Sequence, residues 1–219
     1  MTNQNGILDA PQSGPQTAQE APRSPDPPGR CPITPYRTGK DALTHQEAIK
    51  LLSLMDSVEA EALIRLGINT GMRRSDIVAI EMGNINLETK EVVFWEHKKR
   101  RNWVSRIDDV TRASLMKHIA VNVTPIKSKY LFPAKRGDKG HMSDRYAYNV
   151  FQRALIRANI TTRPFHALRS TFVKLAKLVG WSDVQIAQQI GDSLEVVQRH
   201  YATPSDGEMR EISSTHSLL

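Results

Sequence analysis

One cysteine, Cys31, occurs among 219 residues. A single thiol forms no internal disulfide and builds no zinc site by itself. That scarcity fits a reducing, cytoplasmic compartment. No run of 18 or more apolar residues occurs, so no membrane-spanning helix and no membrane partner are expected. The first 30 residues lack a basic start followed by an apolar block, so a secretory leader is not expected. No internal repeat is visible.

What the chain does have is positive charge. Lys and Arg number 30 against 23 Asp and Glu, a formal net charge of +7. The first 40 residues hold four basic and three acidic side chains, so nearly all the excess belongs to residues 41–219. A basic folded region attracts polyanions, and nucleic acid is the natural partner to consider first. A protein that is basic merely for solubility is the plainer alternative.

Proline divides the chain. Eight of the twelve prolines fall in residues 1–40, among Gln, Ser, Thr and Gly. Such a stretch buries too little apolar surface to offset its ordering entropy, so it reads as a disordered arm. One domain is expected over residues 41–205, followed by a flexible tail over 206–219. The hydrophobic fraction of 39% is enough for one sizeable core.

The pattern within the domain is mainly helical. Thr44 and Glu47 stand as a capping box before the apolar series Ala48, Leu51, Leu52, Met55. Helices are expected over Val58–Asn69 and from Arg74 to about Met82, with Gly71 between them. Then the period changes. Ile85–Leu87, Glu91–Glu96 and Trp103–Ile107 read as three short antiparallel strands, with the basic run His97 to Asn102 in the last turn. Further helices are expected over Asp109–Ala120, Asp144–Ala158 with Ser143 as N-cap, His166–Leu178, Asp183–Ile190 and Glu195–Tyr201. The fold class is α+β, mainly α, with a small three-stranded antiparallel sheet.

Five residues suit one chemistry, the attack of a tyrosine oxygen on a phosphodiester. That reaction needs a nucleophile, fixed cations over the non-bridging oxygens and an acid for the leaving 5′-oxygen. Guanidinium groups serve best as the cations, being always charged and fork-shaped. Arg73 follows Thr70-Gly71-Met72 at a predicted helix start. Asp76 could orient it by an ion pair, and an ordinary helix charge pair is the alternative. His166 and Arg169 stand three apart, on one helix face, with Arg163 as a nearby competitor. Lys98 lies in the basic turn, where a lysine can protonate a leaving alkoxide. Lys99 is not separable from it by position. Lys99, Arg100 and Arg101 suit phosphate-backbone binding. Tyr201 is the candidate nucleophile. Its hydroxyl ordinarily titrates near 10, and adjacent cations would stabilise the phenolate.

In order and spacing these elements resemble the tyrosine recombinase (phage integrase) family. The likeness rests on Thr70-Gly71-Met72-Arg73-x-x-Asp76, the strand-turn Lys98, His166-x-x-Arg169, and Gly191 ten residues before Tyr201. Leu43-Thr44-x-x-Glu47 and Leu131-Phe132-Pro133 also look like that family's landmarks. The resemblance implies that Arg73 and Arg169 clamp the scissile phosphate, Lys98 is the general acid and His166 is base or phosphate ligand. Tyr201 would form a 3′-phosphotyrosyl link, with no metal, cofactor or ATP. The implied activity is site-specific recombination or integration by a homo-oligomer on double-stranded DNA, with an accessory DNA-bending protein as a further partner. The rivals are a type IB topoisomerase-like nicking-closing enzyme and a non-catalytic DNA-binding relative.

Two departures stand out. The family usually has a separate helical domain ahead of the catalytic one, and residues 1–40 do not supply it. The chain thus looks like a catalytic domain alone, as in reduced archaeal or mobile-element integrases. The family also usually has His or Trp where this chain has Asp192. A carboxylate aimed at the phosphate would repel it. The expectation is therefore that Asp192 caps the last helix through the backbone N–H of Glu195, with its charge turned away.

Overall fold

The computed structural model describes residues 41–96, 101–123, 126–135 and 140–201. The arm, the tail, Lys98, Lys99 and Arg100 lie outside the described residues. The first helices follow their caps. Helix α1 (His45–Ser53) starts from Thr44, whose Oγ accepts from the Glu47 amide while the Glu47 carboxylate accepts from the Thr44 amide. Helix α2 (Val58–Thr70) is buried on most of its circumference, including Leu63, Ile64 and Leu66. It is apolar nearly all round because it is the central helix, packed by α4 and α6. Helix α3 (Arg74–Val78) is shorter than its predicted span to Met82. A 3-10 turn over Met82–Asn84 intervenes before the sheet.

The sheet has the order β1 (Ile85–Asn86), β2 (Glu91–Glu96), β3 (Arg101–Arg106), antiparallel throughout. Strand β3 begins two residues before the predicted Trp103. Pairing of Trp95 with Asn102 and Glu96 with Arg101 carries the ladder toward the turn. Main-chain pairing is indifferent to side-chain charge, which is why alternation understated the strand. Helix α4 (Asp109–His118) then widens into a π turn over Ile119–Val123. At that junction His118 is buried, with its Nε2 2.8 Å from the Leu131 carbonyl and its ring stacked on Phe132. The next helices are α5 (Asp144–Arg157), α6 (Ala167–Leu178), α7 (Asp183–Ile190) and α8 (Leu194–Tyr201).

Two apolar clusters hold these elements. The larger runs from Leu43 on the chain entering α1 to Leu168 on α6. The smaller has seven buried residues: Phe172, Val173 and Ala176 of α6, Ile186, Ala187 and Ile190 of α7, and Val197 of α8. Tyr201 packs against it. Helix α6 belongs to both, its first turn in the larger and its later turns in the smaller. No described helix is long and apolar enough to cross a membrane.

Candidate active site

The site forms where the α2–α3 turn, the start of α6 and the α7–α8 turn meet. Gly71 makes the first of these possible. Its φ of 63° is left-handed, and a Cβ there would stand 2.8 Å from both Ile190 Cγ2 and Phe172 Cδ1. Only glycine meets both demands without strain. The turn leaves Arg73 at the N-cap position of α3, with its side chain 32% exposed.

Arg169 occupies the first turn of α6 and is 2% exposed. Its Nη1 donates to two main-chain carbonyls, Gly71 at 2.6 Å and Ile190 at 3.0 Å. Those are the carbonyls at the ends of two different helices, so the guanidinium ties α2 to α7. The competitor Arg163 is engaged elsewhere. It donates to the Ala42 carbonyl at 2.7 Å and to Glu47 at 2.6 Å, pinning the chain ahead of α1.

His166 is the N-cap residue of α6 rather than a residue inside it, with helical dihedrals of −59° and −19°. Its Nε2 lies 3.0 Å from the Tyr201 hydroxyl oxygen. Burial, then the guanidinium groups of Arg169 and Arg73, push His166 down to about 4 against the opposite pull of Asp192 and Asp41. The imidazole is therefore neutral near pH 7. In the tautomer with Nδ1 protonated, Nε2 accepts the proton that the tyrosine hydroxyl donates.

Asp192 corrects the sequence reading. The cap of α8 is Ser193, whose Oγ accepts from the Val196 amide at 3.3 Å. The Asp192 carboxylate points into the site instead. Arg73 Nη2 donates to its Oδ1 at 2.9 Å, and Arg169 Nη2 donates to its Oδ2. Two ion-paired bonds to guanidinium groups outweigh a single bond to an uncharged amide, and serine caps as well as aspartate does. The turn that aims the carboxylate contains Gly191, left-handed at φ 75°.

The sheet reaches this turn through contacts that no sequence motif announced. Trp103 of β3 donates from its indole nitrogen to the Gln188 carbonyl at 2.7 Å and lies against Gly191. Gln189 exchanges two hydrogen bonds with the Arg106 main chain, at 3.2 and 2.6 Å. Arg101 stacks over the Trp103 ring at 4.1 Å. Of the expected DNA-binding run, Arg101 is thus linked through Trp103 to the site. Arg73, His166, Arg169 and Tyr201 are brought together. Lys98, Lys99 and Arg100 lie outside the described residues. Among those described, no group of three or more His, Cys, Asp or Glu is arranged as metal ligands would be.

Solved structures share this fold. XerA recombinase matches over 81% of this chain and 65% of its own, at 18% identity and a TM-score of 0.73. XerH site-specific recombinase bound to difH substrate matches over 80% and 52%, at 19% identity and a TM-score of 0.63. A lambda integrase dimer bound to a COC′ core site matches over 69% and 57%, at 16% identity and a TM-score of 0.56. The chain thus spans between about half and two thirds of these proteins, and the likeness is one of fold. The comparison with curated proteins returns no match. The model of the phage integrase family matches residues 41–207, most of the chain and all of the site just described, so the chain belongs to that family, the tyrosine recombinases.

Proposed function

We propose that the protein is a site-specific DNA recombinase that cuts and rejoins strands through a 3′-phosphotyrosyl intermediate. The observation that carries this reading is one arrangement. The Tyr201 oxygen lies 3.0 Å from a neutral imidazole, beside two guanidinium groups that converge on a single anion position. Tyr201 Oη attacks the phosphorus as His166 Nε2 takes its proton. The bond to the 5′-oxygen breaks, and a proton from Lys98 converts the leaving group to a hydroxyl. Arg73 and Arg169 offset the charge gained by the non-bridging oxygens in the five-coordinate state. The phosphotyrosyl ester retains the bond energy, so a 5′-hydroxyl from the same or another duplex reverses the step without ATP. Neither ion nor cofactor takes part in this sequence.

DNA is the partner, held by backbone contacts from Lys99 and Arg100, between β2 and β3 in the chain, and from Arg101, which opens β3. Exchange between two duplexes requires paired protomers, so a homo-oligomer on DNA belongs to the reading, as does an accessory DNA-bending protein. Residues 1–40 act as a Pro-rich arm outside the catalytic domain.

The test is covalent trapping. A duplex library with nicks placed to let the cleaved 5′-end diffuse away is incubated with the protein and run under denaturing conditions. The wild type should give a protein–DNA adduct that EDTA does not reduce. Tyr201→Phe, which removes one oxygen and keeps the ring, should give none while binding DNA and melting as the wild type does. An adduct persisting in Tyr201→Phe would assign the nucleophile elsewhere. A wild type that binds DNA without ever forming an adduct would leave a non-catalytic DNA-binding relative.

A further inference from the structure

We infer that Asp192 is a tethered occupant of the phosphate seat, a carboxylate that closes the arginine clamp and has to leave before a phosphodiester can enter it. The inference rests on the recombinase reading for its reaction, but its geometry stands on this chain alone. Each oxygen of the Asp192 carboxylate takes one arginine, Oδ1 from Arg73 and Oδ2 from Arg169. Two non-bridging oxygens of a phosphodiester would meet the same pair of donors in the same way.

Displacement is required because of how Arg169 is held. Its Nη1 is already committed to the Gly71 and Ile190 carbonyls, which leaves Nη2 as the nitrogen facing the site. That nitrogen is covered by Asp192, and the whole side chain is 2% exposed. The Asp192 side chain, 11% exposed, is the outer layer. An external anion reaches Arg169 by taking the carboxylate's place.

The charges facing the site make the same point. Arg73 comes from the α2–α3 turn, Arg169 and neutral His166 from the start of α6, and the Tyr201 hydroxyl from α8. Asp192 is an acid that binds both cations, and Asp41 acts on His166 from the chain ahead of α1. With Asp192 in place, one of the two cationic charges is already neutralised inside the protein. A phosphate arriving beside the carboxylate meets repulsion, whereas a phosphate replacing it meets both guanidinium groups. The gate also sits next to the nucleophile's support. Asp192 lies between Gly191, which ends α7, and Ser193, which caps the helix carrying Tyr201. Rotation of this one side chain therefore opens the clamp at the base of the helix that must deliver the tyrosine oxygen.

The experiment compares the wild type with Asp192→Asn, which keeps the shape and removes the charge, and with Asp192→Ser, which removes both. Melting temperatures establish that each is folded, and the serine variant serves if the asparagine variant is not. Inorganic phosphate is titrated at constant ionic strength, read by the arginine side-chain N–H signals in nitrogen-15 NMR. Single-turnover cleavage is measured on the trapped DNA substrate. Removing a unit charge within a few ångströms of the incoming anion should tighten phosphate binding by at least about tenfold. Cleavage should rise by a comparable factor. A folded variant that binds phosphate no better than the wild type overturns the inference. So does a variant that cleaves more slowly at unchanged phosphate affinity, because the carboxylate would then be supporting the arginines rather than holding their seat. Tighter phosphate binding in a protein that cleaves no DNA in any form would uphold the seat and refute the recombinase reading.

Discussion

Arg169 and Tyr201 reach the same site from differently built regions. Arg169 stands at the start of α6, where that helix is still part of the larger cluster, and its Nη1 is shared between two main-chain carbonyls. Tyr201 ends α8, whose one buried residue is Val197 in the smaller cluster. The contrast follows the chemistry we propose for each side chain. A cation that stabilises a transition state works best when its position is set before the reaction, since no energy is then spent orienting it. A nucleophile that must form a bond, carry a strand and later release it needs a support that moves at low cost. Deep burial suits the first, and a helix with one buried residue suits the second.

The largest effect should separate the two arginines, which the mechanism treats alike. Arg73→Ala and Arg169→Ala should each slow cleavage by on the order of 10²–10³. Their stabilities should differ. Arg169→Ala leaves two carbonyls and a carboxylate oxygen without their donor in a closed site, a loss of about 3–5 kcal/mol. Arg73, 32% exposed, makes a partly solvated pair and should cost about 1 kcal/mol or less. Urea unfolding of both variants checks this. Equal losses would mean that the clamp is not divided into a buried and an open half.

The second expectation concerns opening of the two regions. Amides of α8 should exchange with solvent at least about tenfold faster, relative to their intrinsic rates, than those of α2, which has nine buried residues. Hydrogen exchange read by mass spectrometry resolves the two peptides. Equal protection would show that α8 is held as firmly as the core.

The smallest expectation is a pH slope. His166 is held down to about 4 in the folded chain against an ordinary 6.5. Between those values the unfolded chain binds the extra proton, so stability rises with pH there. The contribution is complete above about 6.5 and is lost as the pH falls toward 4, at a slope of at most about 1.4 kcal/mol per unit for one group. Burial lowers His118 as well, and it adds in the same direction. Unfolding at pH 7 and pH 5 for the wild type, His166→Asn and His118→Asn measures the two shares. A flat profile in the wild type would mean that neither imidazole is buried neutral.

Much of this was legible along the chain because its signals are local. The capping box at Thr44 and Glu47, the Ser143 cap and the Gly71 and Gly191 helix ends depend on neighbours within a few residues. The strand limits were less so, since pairing with β2 rather than alternation decided where β3 begins. The helix containing His166 began one residue later than expected, which turned a residue on a helix face into the one that opens it.

By itself, the order of residues determined the mainly helical fold and the family, and it proposed Arg73, Lys98, His166, Arg169 and Tyr201 as candidates, because each piece is a short pattern at fixed spacing. Tertiary structure alone decided how those pieces act. It joined Arg163 to Glu47 and left Arg169 to the site, placed Trp103 and Gln189 as the bridge from sheet to α7, and aimed Asp192 at two arginines far from it in the chain. A carboxylate flanked by serine on one side and glycine on the other reads locally as a cap. Its actual partners lie 119 and 23 residues away, and only the folded chain brings their charges within hydrogen-bonding distance of it.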